Sequence, residues 1–165
     1  MPFDFEGVPK QRVEIIRDGI ANAVVYDSHT ARREGKRSTG HALPSPNTFG
    51  PIAANLFMSP GNASKEEMLA STERGLWVTR FHYVNPVHPL KAVLTGMTRD
   101  GTFLIERGEI ARPVKNLRFT QGMLDALSQV EMIGSATKVE EMFFGAGCVP
   151  ALKVHDFHFT GVTEF

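Results

Sequence analysis

Alternating apolar and polar positions predict a chain built mainly from short strands. Arg12–Ile16 and Ile20–Tyr26 flank Asp18-Gly19, a pattern that predicts a β-hairpin. Residues Leu76–Val84 alternate in the same way and predict a longer strand, because successive side chains of a strand point to opposite faces. The apolar face of that strand would pack in the core and would carry Trp77, Phe81 and Tyr83.

The second half of the chain repeats this strand-and-turn pattern. Leu90–Thr98 and Thr102–Glu106 flank Arg99–Gly101, whose Asp-Gly pair tolerates the positive φ of a tight turn, so a second hairpin is predicted. Gly108 predicts a further turn. Ala151–Phe159 predicts a final strand with a bulge near its His-Asp pair.

Helices are few and short in this interpretation. Ser28 would cap a helix that continues to Arg33, and the capping box Ser64–Glu67 would open a second helix that Gly75 ends. Thr120 would cap a third, whose apolar residues recur at helical spacing. These elements predict an α+β fold, a mainly antiparallel, barrel-like sheet domain with a few short helices. The apolar residues of the third helix are Met123, Leu124, Leu127 and Val130.

Length and composition narrow the class of protein. The 165 residues suit a single domain, predicted over residues 1–165. Lysine plus arginine and aspartate plus glutamate each number 18, so no net field favours nucleic acid, and we expect no nucleic-acid partner. The N-terminus does not resemble a signal peptide, and no apolar run is long enough to span a bilayer. We therefore expect a cytoplasmic protein without a membrane partner.

The candidate binding residues lie in the irregular segment Lys36–Pro51, which is rich in glycine, proline and serine. Long loops in compact domains are often functional, and hydroxyls with backbone amides suit a peptide backbone or carboxylate. The same composition is also typical of an ordinary surface turn. The residues predicted to bind substrate are Ser38, Thr39, Gly40, His41 and Asn47.

Cys148 is the single cysteine and the candidate metal ligand. A thiolate is a good soft ligand for zinc, and the preceding Gly-Ala-Gly run could position it. The alternative is a small half-buried thiol beside a strand. His155 and His158 would face opposite sides of a regular strand, so paired metal binding by them is not predicted.

Five segments, in this order, carry a resemblance to a known family: FDFEGVPKQRVEIIRDGIANAVVYDSHTAR, KRSTGHA, NASKEEMLASTERGLWVTRF, TGMTRDGTFLIERGEIARPVKNLRF and PALKVHDFHFTG. Together they resemble the C-terminal domain of the TldD/PmbA family, first named for modulation of DNA gyrase and now regarded as metallopeptidases. The resemblance covers nearly the whole chain.

The resemblance implies a peptidase whose zinc is held by an HExxxH helix in an upstream domain. No His-Glu-x-x-x-His occurs in these residues, so zinc is expected in the full-length parent if it carries that motif, and no cofactor is expected for this chain alone. The implied partners are the upstream domain of the same parent, a homodimer or TldD–PmbA-type heterodimer, and a peptide or unfolded-protein substrate. In metal-binding members a C-terminal cysteine is the third ligand, which makes Cys148 the candidate here.

Two functions are compatible with this resemblance. In the first, the domain forms a wall of the substrate chamber and part of a dimer interface in a zinc peptidase, and is inactive alone. In the second, it is a non-catalytic scaffold or regulatory domain of a metal-free, PmbA-like subunit.

Overall fold

The computed structural model of the protein describes residues 2–142 and 145–162. Strands account for 48% of the described residues and helices for 13%, and the helices are short. The predicted α+β class with mainly antiparallel sheet is confirmed. The strands of the described residues form open sheets of two, three and five strands and do not close into the barrel-like form.

Contacts within the chain divide the protein into two compact units. Unit 1 comprises Met1–Met58 and Val139–Cys148, and unit 2 comprises Ser59–Lys138 and Val149–Phe165. The single domain expected over residues 1–165 stays a prediction.

Unit 1 begins with a small hairpin. Strands β1 (Ile16–Arg17) and β2 (Ile20–Ala21) pair antiparallel, and Asp18 and Gly19 have φ of 51° and 78° in the turn. The predicted hairpin is confirmed, although each strand is only two residues long.

Helix α1 (Ser28–Arg33) is followed by a long irregular segment. Asp27 caps the helix instead of the predicted Ser28, because its carboxylate accepts hydrogen bonds from the Thr30 N–H at 2.7 Å and the Thr30 hydroxyl at 2.6 Å. Residues 34–54 then contain no helix or strand, as predicted for Lys36–Pro51. Strand β3 (Asn55–Phe57) closes this part of the chain.

Unit 2 opens with helix α2 (Lys65–Ala70), which has the predicted capping box. The Ser64 hydroxyl accepts from the Glu67 N–H at 3.1 Å, and the Glu67 carboxylate accepts from the Ser64 N–H at 2.7 Å. The helix ends at Ser71 and not at Gly75, because Gly75 already lies within strand β4 (Arg74–His88).

A five-stranded sheet dominates unit 2. Its main path runs β10-β7-β5-β4, and β6 pairs with the other end of β5. The turn predicted at Gly108 is confirmed between β5 and β6, where Arg107 and Gly108 have φ of 51° and 81°. The remaining strands are β5 (Val93–Glu106), β6 (Glu109–Pro113), β7 (Leu117–Gly122) and β10 (Phe159–Val162).

The hairpin predicted within residues 90–106 is wrong, because β5 runs straight through Asp100-Gly101. Its pairing with β4 shifts by one residue between Arg99 and Thr102, which defines a β-bulge. Asp100 and Gly101 have φ of 60° and 129°. Positive φ suits a bulge as well as a turn, so the Asp-Gly pair alone could not distinguish them. The chain reverses instead at the 3₁₀ turn Pro89–Lys91.

Phenylalanines form the centre of unit 2. Phe119 is buried, and its ring centroid lies 4.7 Å from that of Phe81 and 5.4 Å from that of Phe157. The aromatic face predicted for β4 is wrong at Tyr83, which is 73% exposed, and Phe81 contacts Phe119 but is itself 40% exposed. Register shifts in β4 interrupt the strict alternation on which the prediction depended, and Trp77 is only half-buried.

The C-terminal third departs most from the predicted pattern. Helix α3 (Met123–Ser128) has Gly122 as its N-cap instead of Thr120. The following strand β8 (Val130–Met142) was not predicted, and its first residue, Val130, continues the helical spacing of α3.

Strand β9 (Gly145–Val154) lies between β3 and β8, and its start is parallel to β3. The predicted single strand Ala151–Phe159 is wrong, because the chain turns at Asp156, where φ is 50°, before β10 begins.

Across residues 2–142 and 145–162, no helix has the length and apolar character needed to cross a membrane.

Close packing at Gly96 leads to a testable prediction. A Cβ at Gly96 would lie 2.8 Å from the Phe119 ring, whereas one at Gly161 meets nothing within 4 Å. Gly96→Ala should therefore lower the free energy of unfolding by about 1–3 kcal/mol, since overpacking forces neighbours to move. Gly161→Ala, in the edge strand of the same sheet, should change it by less than about 0.5 kcal/mol. Urea unfolding of both variants checks this, and equal stabilities would contradict it.

Candidate functional site

The candidate site is the segment Ser38–Ala42, called the 38–42 loop below. It lies in unit 1, after α1 and the turn at Gly35, where φ is 64°. Ser38, Thr39 and His41 are half-buried and Gly40 is buried. Four of the five predicted substrate-binding residues are thus consecutive in one partly covered loop.

The Thr39 hydroxyl links the loop to the residue before α1's cap. It accepts a hydrogen bond from the Tyr26 N–H at 2.7 Å, lies 3.1 Å from the Tyr26 carbonyl and 3.0 Å from His41 Nδ1. The Thr39 N–H also donates to the Tyr26 carbonyl at 3.0 Å. Thr39 therefore fixes both the loop backbone and the histidine ring.

Ser38 and Gly40 complete this local network. The Ser38 hydroxyl donates to the Tyr26 carbonyl at 3.2 Å and accepts from the Gly40 N–H at 3.2 Å. The loop hydroxyls and the Gly40 amide expected to contact a substrate already have partners within the chain.

His41 is the titratable residue of the loop. Burial lowers the pKa of His41 below its ordinary value, and the charge of Lys10 lowers it further, whereas the Thr39 contact and Asp4 oppose the shift. The imidazole is accordingly neutral at pH 7. A neutral imidazole in a polar loop can accept a hydrogen bond or a proton from a ligand.

Asp4 is the part of the site that the sequence did not predict. Its side chain is buried, with the residue 2% exposed, and one carboxylate oxygen accepts from the N–H groups of Glu6 at 3.0 Å and Val8 at 2.9 Å. The other oxygen accepts from the Ala42 N–H at 2.9 Å. Burial opposes ionisation, but these three backbone donors outweigh it and lower the pKa of Asp4.

The segment that carries Asp4 lies along the loop. The Gln11 N–H donates to the Thr39 carbonyl at 3.0 Å, and Lys10 Nζ donates to the Gly40 carbonyl at 3.4 Å. Gly40 has φ of 73°, and a Cβ there would lie 2.4 Å from the Pro9 carbonyl oxygen. Only glycine permits this approach of two backbones.

Asn47 makes its hydrogen bonds within its own turn. Its side-chain amide donates to the Gly50 carbonyl at 3.0 Å, and its side-chain oxygen accepts from the Phe49 N–H at 2.8 Å. Neither bond joins Asn47 to the 38–42 loop, so its role in substrate binding stays a prediction.

Cys148 lies half-buried in β9, opposite Phe57 of β3, and its carbonyl accepts from the Met58 N–H at 3.0 Å. No three histidine, cysteine, aspartate or glutamate side chains come together to hold a metal ion within the part of the chain that the structure describes. The donor set around Cys148 in the described residues therefore does not by itself fit a zinc site. Cys148 as a ligand stays a prediction.

The C-terminal histidines have different partners. His155 Nε2 lies 2.9 Å from the Glu131 carboxylate, whose same oxygen lies 3.0 Å from Lys153 Nζ. The hydrogen bond from Lys153 lowers the pKa of Glu131. A lysine ammonium on the shared oxygen suits an ion-pair network and not a metal site. The His158 N–H donates to the Gln121 side chain at 2.9 Å.

The protein therefore has an α+β fold and a histidine-bearing loop, and the segment that carries Asp4 lies along that loop. Residues 1–161 match the family described as the PmbA/TldA metallopeptidase C-terminal domain. The chain belongs to this family, which confirms the resemblance found in the sequence.

Individual relatives agree with the family match. The chain is 30% identical over 156 residues to Metalloprotease PmbA of Escherichia coli O157:H7, covering 93% of the chain and 32% of that protein. It is 29% identical over 142 residues to the Zinc metalloprotease TldD homolog of Saccharolobus solfataricus, covering 79% of the chain and 29% of that protein. The chain thus spans about a third of the length of these relatives.

The fold is shared with a solved structure, that of TldE from Thermococcus kodakarensis. The TM-score is 0.82 at 21% sequence identity, and the alignment covers 98% of this chain and 36% of the other.

The environment of Asp4 predicts how stability depends on pH. Asp4→Asn should cost about 2 kcal/mol at about pH 7, because the amide nitrogen cannot accept an N–H. The folded pKa of Asp4 lies below the unfolded value of about 3.9, so ionised Asp4 stabilises the fold above that value. This stabilisation is lost as the pH falls through the folded pKa.

The difference in urea midpoint between wild type and Asp4→Asn should therefore shrink from about pH 7 to about pH 2. Asp18→Asn, in the exposed β1–β2 turn, serves as the control for a general loss of negative charge. A difference that is the same at every pH would contradict this account of Asp4.

Proposed function

We propose that this chain is the C-terminal, non-catalytic part of a TldD/PmbA-type peptidase. It contributes a wall of the substrate chamber and part of a dimer interface, and the full-length parent hydrolyses peptide bonds. The observation that carries this proposal is the match of residues 1–161 to a metallopeptidase C-terminal domain, by a sequence without an HExxxH motif. Chemistry supplied by another part of the parent is consistent with both facts.

Exposed apolar side chains support the interface. Leu90, at the turn between β4 and β5, is 96% exposed. Tyr83 and Val87, in the part of β4 that leads to this turn, are more than half exposed. Helix α3 starts beside this turn, since the Met123 N–H donates to the Ala92 carbonyl at 2.9 Å, and its Leu124 is also mostly exposed. Clustered exposed apolar residues are typical of surfaces that other protein covers.

The 38–42 loop supports the substrate-facing role. It combines backbone carbonyls and a neutral histidine in an irregular segment, and such groups recognise peptide backbone. The substrates would be peptides or unfolded protein segments. Asn47 would contribute from the same irregular segment.

Zinc, in this proposal, belongs to the upstream domain of the parent. One relative is named a zinc metalloprotease, which supports zinc within the family. The partner for the interface would be a second copy or a TldD–PmbA-type subunit. We place the protein in the cytoplasm, because a single cysteine suits a reducing compartment.

The purified chain should hydrolyse no peptide by itself. Because the expected catalytic glutamate and histidine ligands are not in its sequence, added zinc should not produce activity. Release of fluorescence from quenched peptides and digestion of unfolded casein, each with zinc, without zinc and with chelator, test this. Cleavage that requires zinc and is abolished by chelator would overturn the non-catalytic role.

The exposed turn should drive self-association of the chain. Leu90→Ser should weaken the dimer by about tenfold or more, since a central apolar side chain at an interface contributes about 1.4 kcal/mol or more. Lys91→Ser, at the adjacent exposed position, is the matched control and should have little effect. Sedimentation equilibrium measures both dissociation constants. A chain that stays monomeric, or equal effects of the two substitutions, would contradict the interface.

A further inference from the structure

Residues 2–11, called the strap below, lie against the 38–42 loop and form hydrogen bonds with it. In the strap, the Gln11 N–H donates to the Thr39 carbonyl at 3.0 Å, and the Phe5 N–H donates to the Ala42 carbonyl at 3.5 Å. The Asp4 carboxylate of the strap accepts a hydrogen bond from the Ala42 N–H at 2.9 Å. Backbone hydrogen bonds together with an anchoring side chain are a common way for a peptide segment to bind to exposed backbone.

The strap has its own internal structure. A bridge pairs Phe3 with Pro9, the Asp4 N–H donates to the Val8 carbonyl at 2.9 Å, and the Lys10 N–H donates to the Pro2 carbonyl at 2.9 Å. None of these bonds involves a residue of the loop. Outside the loop, the strap also accepts a hydrogen bond from the Ser28 N–H on the Glu6 carboxylate at 2.9 Å.

Hydrophobic burial does not hold the strap in place. Phe3 and Phe5, its two large apolar residues, are each at least half exposed. The attachment depends instead on the buried carboxylate of Asp4 and on the close backbone contact at Gly40. An element fixed by few polar contacts, with little apolar burial, opens more readily than the core of a fold.

We propose that the strap is an intramolecular occupant of the loop's peptide-binding face, with Asp4 as the residue that pins it there. The loop accepts another peptide when the strap detaches. The proposal rests on the proposed function only in taking a substrate peptide as the natural competitor; the exchange of the strap itself is a property of unit 1.

Hydrogen exchange measured by NMR on the wild-type chain tests the detachment. The amides of Ala42 and Gln11 should exchange faster than the Leu117 amide, which the buried Thr98 hydroxyl accepts at 2.9 Å in unit 2. Exchange of all three amides in one common opening step would overturn the proposal, because the strap would then detach only on global unfolding. This measurement needs no variant.

Two variants should loosen the strap by different routes. Asp4→Ala removes the anion from the Ala42 N–H, and Gly40→Ala places a Cβ against the Pro9 carbonyl. Each should speed exchange at Ala42 and Gln11 by about 10- to 100-fold and leave Leu117 unchanged. Gly50→Ala is the matched control, since Gly50 has φ of 79° but its Cβ would meet nothing within 4 Å. Equal effects of Gly40→Ala and Gly50→Ala would contradict the close contact.

A synthetic peptide with the strap sequence, PFDFEGVPKQ, tests the occupancy directly. Added to the Asp4→Ala chain, it should restore slow exchange at Ala42 and bind about tenfold tighter than the same peptide with alanine at the Asp4 position. Failure to bind, or equal binding of the two peptides, would overturn the proposal. Peptide hydrolysis and self-association are measured separately, so a chain that exchanges its strap but does not dimerise contradicts only the proposed function.

Discussion

The five-stranded sheet depends on two buried threonine hydroxyls in the middle of β5. The Thr102 hydroxyl donates to the Thr98 hydroxyl at 2.7 Å, and Thr98 accepts from the Leu117 N–H at 2.9 Å. The neighbour of β5 changes at this point, since β5 pairs with β7 before the bulge and with β6 after it. The two residues are 0% and 2% exposed, and valine in either place would fill the space without satisfying the polar groups.

Local chemistry made two turns and one helix cap predictable, whereas pairing between distant segments could not be predicted from the sequence. The Asp18-Gly19 turn and the Ser64–Glu67 capping box each need only neighbouring residues, and both were predicted correctly. Asp100-Gly101 has the same local signature as a hairpin, but its neighbours across the sheet make it a bulge. Strand β8 was not predicted, because Val130 continues the helical spacing of α3 and the rest of the strand depends on its pairing with β9.

The candidate site likewise contains a part that local sequence predicted and a part that depends on a long-range contact. The sequence predicted a hydroxyl-rich loop, and Ser38–His41 do form one connected network. It could not predict Asp4, because the bond from Ala42 spans 38 positions and a single aspartate near the chain start has no distinctive spacing. The one local indication was the turn after it, in which Asp4 accepts from Glu6 and Val8 around Gly7, where φ is 78°.

The close backbone approach at Gly40 has a consequence for sequence divergence in this family. Two hydrogen bonds between residues 2–11 and the loop join main-chain groups alone, and the others use the side chains of Asp4, Lys10 and Gln11. Substitutions at most strap positions would leave those contacts intact, whereas changes at Asp4 or Gly40 would not. Evolutionary constraint should therefore concentrate on these two positions, and a relative that has lost the aspartate should also tolerate a side chain in place of the glycine.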